Sequence, residues 1–101
     1  LDLSGNKLSV NLIVFLSKNL KCINLLKSFI FKGNEFFNSN IAYQAFSNGL
    51  LNLNSLETLD ISDCMINDDG MILISNSIKR LFHLISINIS NNLFLLYTFC
   101  Q

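Results

Sequence analysis

Short runs in which apolar and polar residues alternate recur along the chain. Alternation places every second side chain on one face of a β-strand, so such runs predict strands that bury one face. Three of them carry the inward-facing pairs Phe29 and Phe31, Leu59 and Ile61, and Ile87 and Ile89. The pattern therefore predicts short strands that contribute apolar side chains to a common core.

Between these runs, apolar residues recur at intervals of three and four, which predicts one amphipathic helix in each gap. The apolar positions are Leu12, Ile13, Leu16, Leu20 and Ile23, then Ile41, Ala42, Ala45, Phe46, Gly49, Leu50 and Leu53, and finally Met71, Ile74 and Ile78. The third helix has the clearest ends. Asn67–Gly70 offers a capping residue and two carboxylates to its positive end, and Lys79–Arg80 lies at its negative end.

The strand and helix patterns belong to one repeated unit. The template Leu-x-x-Leu-x-Leu-x-x-Asn/Cys-x-Leu occurs four times, with the first copy truncated at its start. The position shared by Asn and Cys is occupied at spacings of 28, 30 and 28 residues by Asn6, Asn34, Cys64 and Asn92. We place the two extra residues of the second copy in the loop 37–40 before its helix, whose start the pattern does not fix.

The Asn/Cys position has a physical role. An asparagine amide at a strand end can donate to and accept from backbone groups that the turn leaves unpaired, so stacked copies are expected to form a ladder. Cys64 is an accepted alternative at this position and has no basic neighbour in the sequence. We therefore interpret Cys64 as a structural residue and not as a reactive thiol.

The whole chain resembles the long repeats, roughly 28 residues each, of the ribonuclease-inhibitor-like class of leucine-rich-repeat proteins. The resemblance implies an α/β fold, a horseshoe-shaped solenoid segment of about four repeats with parallel strands on its concave face and helices on its convex face. The single domain 1–101 would comprise repeats at approximately 1–25, 26–55, 56–83 and a partial 84–101. Because neither end carries a polar cap, we expect the chain to pack against further repeats of its parent protein.

Stacked strands would present rows of outward-facing residues on the concave face. The candidate partner-binding residues are Asp2, Ser4, Ile30, Lys32, Glu35, Thr58, Asp60, Ser62, Asn88 and Ser90. This surface is polar, of mixed sign and interrupted by an apolar side chain, which suits a protein partner better than phosphate or lipid. The alternative is that these residues only solvate the sheet and the binding repeats lie elsewhere.

Composition and charge exclude several function classes. Seven basic residues offset seven acidic ones and only 14% of the chain is charged, so nucleic acid is not an expected partner. No apolar stretch reaches the roughly 18 residues of a membrane-spanning helix, so no membrane partner is expected. The 3 cysteines are odd in number and lack ligand-like spacing, which argues against a disulfide framework or a zinc site and favours the cytoplasm.

The sequence also lacks a catalytic constellation. His83 is the only histidine, and no Ser or Cys is placed by a motif for activation by it. Asp60 and Asp63 have no third metal ligand nearby in sequence, and no phosphate-binding loop motif is present. We therefore expect no enzymatic activity, no metal and no cofactor, and predict a protein-binding scaffold.

Two more specific alternatives follow from the resemblance. The segment Leu12–Asn19 is similar to a helix of the CARMIL family, whose arrays belong to regulators of actin capping protein. The Ran GTPase activators use the same repeat class to regulate a small GTPase. In this chain the only arginine is Arg80, at a predicted helix end.

Overall fold

Helices and strands alternate along residues 1–94, the part of the chain that the computed structural model describes. The elements in chain order are α1 (Val10–Asn19), a 3₁₀ turn (Leu20–Ile23), β1 (Ser28–Ile30), α2 (Asn40–Leu50), β2 (Thr58–Asp60), α3 (Asp68–Ile78) and β3 (Ser86–Asn88). The three strands form one parallel sheet in the order β1-β2-β3. The predicted α/β class with parallel strands is confirmed. The end of the predicted unit 84–101, from residue 95 onward, and Cys100 lie outside the described residues.

The strands pair in the register that the repeated template predicts. Ile30 pairs with Asp60 and Asp60 with Asn88, while Phe29, Leu59 and Ile87 form the adjoining row. The first copy of the template adds an isolated parallel bridge between Asp2 and Ile30 and no strand of its own. One row of the sheet therefore runs through residues at the same template position in four successive copies.

Each helix begins at a side chain that accepts a hydrogen bond from the backbone N–H three residues later, which satisfies one of the unpaired donors of the first turn. These caps are Ser9, Ser39 and Asn67. Ser39 follows Asn34 by five residues, whereas the other two caps follow the Asn/Cys position by three. The two extra residues of the second copy therefore lie in the loop before α2, as predicted.

The core lies between the sheet and the helices and is centred on Phe46 of α2. Its ring centroid is 6.0 Å from that of Phe29, 5.0 Å from that of Phe31 and 5.1 Å from that of Phe36. Phe29, Phe31, Leu59 and Ile61 are fully buried, as the alternation predicts. Ile87 and Ile89 are only half-buried because, among the described residues, β3 has a neighbouring strand on one side alone.

Three of the apolar residues that define the predicted amphipathic helices are not buried. Leu12 is 52% exposed, Ile41 is 72% exposed and Ile23 is also exposed. On α1 the buried positions are Ile13 and Ser17, followed by Leu20 in the 3₁₀ turn. This stripe is narrower than the apolar pattern suggests, because a helix buries only the side chains that its neighbours cover. No helix among residues 1–94 is long and apolar enough to cross a membrane.

Gly70, in the first turn of α3, leaves room for a buried aromatic ring. A Cβ at this position would lie 2.3, 2.4 and 2.7 Å from three ring carbons of Tyr43. Tyr43 is fully buried, and its ring stacks on that of Phe36 at a centroid distance of 5.1 Å. The ring therefore has little freedom to move away from an added side chain.

Gly70→Ala is expected to lower the free energy of unfolding by about 1 to 2 kcal/mol. Overpacking of a core costs about 1 to 3 kcal/mol, and the upper part of this range is expected here because the Cβ would overlap a buried ring. The roughly 1 kcal/mol that alanine gains over glycine in a helix reduces the net loss to about 1 to 2 kcal/mol. Urea denaturation measures the difference. Asn76→Ala on the exposed face of the same helix is the control and is expected to be neutral or slightly stabilising. A more stable Gly70→Ala protein would contradict the packing described here.

Candidate functional site

The face of the sheet that points away from the helices is the candidate site, and we call it the open face. Along β1 and β2 the central residue is buried and the two flanking residues are half-exposed. Ile30, Thr58 and Asp60 thus direct their side chains away from the core, and Asn88 on β3 is exposed. The open face carries the central row of candidate residues.

Three pairs of candidate residues form the same local turn at the end of a strand. The Asp60 carboxylate accepts hydrogen bonds from the Ser62 backbone N–H at 2.9 Å and from its hydroxyl at 2.6 Å. Equivalent bonds join Asp2 to Ser4, at 2.9 and 2.5 Å, and Asn88 to Ser90, at 3.0 and 2.7 Å. Hydrogen bonds from Ser4 hold the pKa of Asp2 below its ordinary value. Part of the predicted surface therefore has a structural role.

Ser62 is not a surface residue, contrary to its prediction as a partner contact. It is 1% exposed, and its hydroxyl is turned toward Asp60. Its backbone carbonyl accepts a hydrogen bond from the Gly33 N–H at 3.0 Å, so the neighbouring strand end packs against it. Its counterparts Ser4 and Ser90 are exposed.

The second copy of the template departs from this turn. Ile30 and Lys32 stand where the other copies have the Asp/Asn and Ser pair, so no side-chain cap of that kind closes β1. Lys32 is exposed and Ile30 is half-exposed in the row between Asp2 and Asp60. Glu35, beyond the turn, is also exposed. These side chains are free of the local bonding that holds Asp60.

The predicted asparagine ladder is present behind the open face. The Asn34 amide nitrogen donates to the carbonyls of Leu3 at 2.9 Å and Phe31 at 3.1 Å, and its oxygen accepts from the Leu8 N–H at 3.3 Å. Asn92 donates in the same way to the carbonyl of Ile61 in the preceding copy, at 3.0 Å. Each amide thereby joins its own turn to the turn of the copy before it.

Cys64 occupies the template position of Asn34 and Asn92, and its thiol is a weaker hydrogen-bond donor than their amides. Its sulfur lies 3.4 Å from the carbonyl oxygen of Phe31 and 3.2 Å from that of Ser62. Burial raises the pKa of the Cys64 thiol to about 11, and the nearby carboxylates of Asp60 and Asp63 act in the same direction. A protonated thiol donates a hydrogen bond and is a poor nucleophile. The structural interpretation of Cys64 fits this environment.

Cys64 is expected to resist thiol reagents in the native protein at pH 8, whereas the exposed Cys22 reacts. The unfolded chain loses the thiol proton near pH 9 and the folded chain near pH 11. The stabilisation from this group is therefore complete below pH 9 and disappears as the pH rises through about 11. Burial raises the pKa of Tyr43 too, so Cys64→Asn, which retains Tyr43, isolates the thiol. Equal alkaline losses in urea denaturation of the wild type and this variant would contradict the assignment.

The two remaining residues considered for catalysis or metal binding lie at separate exposed positions. His83 is exposed in the turn between α3 and β3, and Asp63 is exposed at the strand end. Within residues 1–94 no three His, Cys, Asp or Glu side chains converge as a metal site. The candidate residues that the structure brings together are those of the open face.

Sequence reasoning missed Phe37. It lies in the loop before α2 and is 61% exposed, although the preceding Phe36 already fills the buried apolar position of the template. A cavity of about 270 Å³ lies beside it, lined by Lys7, Leu8, Gly33, Glu35 and Phe37. The sequence did contain one indication of it: Phe37 is a second phenylalanine directly after Phe36, which already fills the last apolar position of the template.

The geometry describes an open, polar surface bordered by an exposed aromatic residue. Such a surface can bind a macromolecular partner. No family model matches the chain, and a search of curated proteins yields no significant match.

Proposed function

We propose that the chain is part of a leucine-rich-repeat solenoid of the ribonuclease-inhibitor-like class and acts as a non-catalytic scaffold that binds a partner protein. The partner would lie on the open face, which is the concave face of such a solenoid. One observation carries the proposal: residues 28 or 30 positions apart in sequence, such as Ile30, Asp60 and Asn88, lie side by side in one row of a parallel sheet.

The bonding between successive units supports the solenoid. Asn34 and Asn92 each bond to a carbonyl of the preceding copy, and backbone hydrogen bonds also join the turns, as from Gly5 to Lys32 at 2.8 Å. Contacts confined to neighbouring units are typical of repeat proteins, whose units cannot bury their apolar faces alone. On this basis we assign the repeats to 1–25, 26–55 and 56–83, and the template alone extends the partial fourth repeat over 84–101.

The chemistry of the open face favours a protein partner. Exposed charges of both signs are present, with Lys32 and Glu35 three residues apart in sequence, and Ile30 adds apolar area between two carboxylates. Protein–protein interfaces combine apolar and polar groups in this way, whereas protein surfaces that bind nucleic acid carry a clear excess of positive charge. We propose a cytoplasmic location, since Cys22 and Cys64 are both free thiols.

Matched charge reversals on the two faces test the proposal in the parent-length protein. Lys32→Glu changes the open face, and Lys18→Glu changes an exposed lysine on α1. Quantitative affinity capture followed by mass spectrometry should show a protein that the wild type and Lys18→Glu retain and Lys32→Glu loses at least tenfold. Its identity would distinguish an actin-capping partner from a small GTPase. A capture profile unchanged by Lys32→Glu and reduced by Lys18→Glu would place the binding surface on the helices and refute the proposal.

A further inference from the structure

The second copy of the template differs from the others at several positions, and these positions lie at or after the end of β1. Ile30 and Lys32 replace the pair that caps the other strands, and the inserted loop brings Phe37 to the surface. Lys32 and Phe37 are exposed, and Ile30 is half-exposed in its row of the sheet. The departures therefore point to a requirement outside the folding of this chain.

Phe37 is displayed in a conformation that is unfavourable for a bulky residue. Its φ is 54°, and the following Asn38 has a φ of 53°. Few residues other than glycine adopt this left-handed region, and asparagine is among those that tolerate it while phenylalanine is not. Residues kept in such conformations cluster at functional sites. A large aromatic side chain held there with 61% exposure is unexplained by packing.

The cavity beside Phe37 is small and combines apolar with charged lining residues. Its volume of about 270 Å³ is close to the lower end of the range of about 300 to 1,000 Å³ that is usual for small-molecule pockets. Leu8 and Phe37 are the apolar residues of the lining, and Gly33 adds no side chain to it. Lys7 and Glu35 are the two charged residues of the lining and are of opposite sign. The lining thus combines apolar side chains with one positive and one negative group.

We infer that this cavity, the Phe37 subsite, receives a large apolar side chain from an extended segment of the partner protein. The segment carries an acidic residue on one side of that side chain, which pairs with Lys7, and a basic residue on the other side, which pairs with Glu35. Aromatic residues are enriched among the few that dominate binding energy at interfaces, which suits Phe37 to this role. The inference rests on the proposed function and adds the place and chemistry of one contact.

Selection from a phage-displayed library of random peptides tests the subsite directly, because random peptides sample every candidate segment of a partner. The wild-type chain should enrich peptides in which a large apolar residue is flanked by one acidic and one basic residue. Phe37→Gly should weaken these peptides at least tenfold while its melting temperature does not fall, because glycine tolerates the left-handed backbone and Phe37 is exposed. Phe15→Ala removes a comparably exposed phenylalanine, 67% exposed on α1, and should bind like the wild type.

A charge exchange gives a second, independent measurement. Lys7→Glu/Glu35→Lys keeps the net charge and should select peptides with the order of acidic and basic residues reversed. Enrichment of peptides that bind Phe37→Gly as tightly as the wild type, or no enrichment, would overturn the subsite. If enriched peptides ignore Phe37 but are lost with Lys32→Glu, the proposed open-face function stands and the subsite alone fails. If neither Phe37→Gly nor Lys32→Glu changes the binding of any peptide, both the Phe37 subsite and the proposed open-face function fail.

Discussion

Phe46→Ala is expected to lower the free energy of unfolding by about 3 to 5 kcal/mol, the usual cost of truncating a buried phenylalanine. The Phe46 ring is fully buried and lies within 6.0 Å, centroid to centroid, of the rings of Phe29, Phe31 and Phe36. Its removal leaves a cavity between α2 and β1 that three other rings surround. Domains of this size have total stabilities of about 5 to 15 kcal/mol, so the variant would lose a large part of its stability.

Chemical denaturation followed by circular dichroism measures this loss. Phe15→Ala is the matched control, because it removes the same side chain from a site that is mostly exposed, and it should change stability by less than about 0.5 kcal/mol. A loss below about 1 kcal/mol for Phe46→Ala would show that the aromatic cluster is not the core of the protein.

Asn34→Leu is expected to cost about 2 to 4 kcal/mol. The substitution removes two hydrogen bonds to the carbonyls of Leu3 and Phe31 and leaves the Leu8 N–H without its acceptor. An ordinary hydrogen bond contributes about 0.5 to 1.5 kcal/mol, and an unsatisfied buried donor costs about 1 to 3 kcal/mol. Asn34 is itself fully buried, so water does not replace these bonds readily.

Asn34→Cys should cost less than Asn34→Leu, because Cys64 already occupies the equivalent position of the next copy. The Cys64 thiol donates to the Phe31 carbonyl. The Phe36 N–H, which corresponds to the Leu8 N–H of the preceding copy, donates to the backbone carbonyl of Cys64 at 3.4 Å. A thiol thus preserves a donor where leucine preserves none. Urea denaturation of both variants measures which of them has the larger loss in free energy of unfolding. Equal losses, or a less stable cysteine variant, would show that the two positions are not equivalent.

The register of the sheet was predictable because two independent patterns agree on it. Alternation selects Phe29 and Leu59 as inward residues, and the template aligns them with each other. Since a shift by one residue would turn every apolar side chain to the opposite face, the burial requirement permits one register only. The row through Ile30, Asp60 and Asn88 follows from the same argument.

The left-handed turns were predictable in part. The residue before each Asn/Cys position has a positive φ in all four copies, at Gly5, Gly33, Asp63 and Asn91. Glycine, asparagine and aspartate are the residues that tolerate this conformation best, so the column carries a usable signal. Phe37 gives no such signal, because phenylalanine is not among the residues that tolerate its left-handed conformation.

The exposure of single side chains depended on packing that no local pattern encodes. Ser62 and Ser90 occupy the same template position, yet Ser62 is buried and Ser90 is exposed, since only Ser62 lies in the middle of the sheet. Ile41 fits the apolar period of α2 but faces away from its neighbours. The open face could thus be located from the sequence, whereas the side chains on it that are free to bind a partner could not.

Photo-crosslinking from two positions tests the central claim most directly. Benzoylphenylalanine is placed in the parent-length protein either at Thr58, on the open face, or at Gln44, on the exposed side of α2. Partner binding at the open face of stacked repeats predicts a covalent adduct with the captured protein from position 58 and none from position 44. An adduct from position 44 alone would contradict it and assign binding to the helical side.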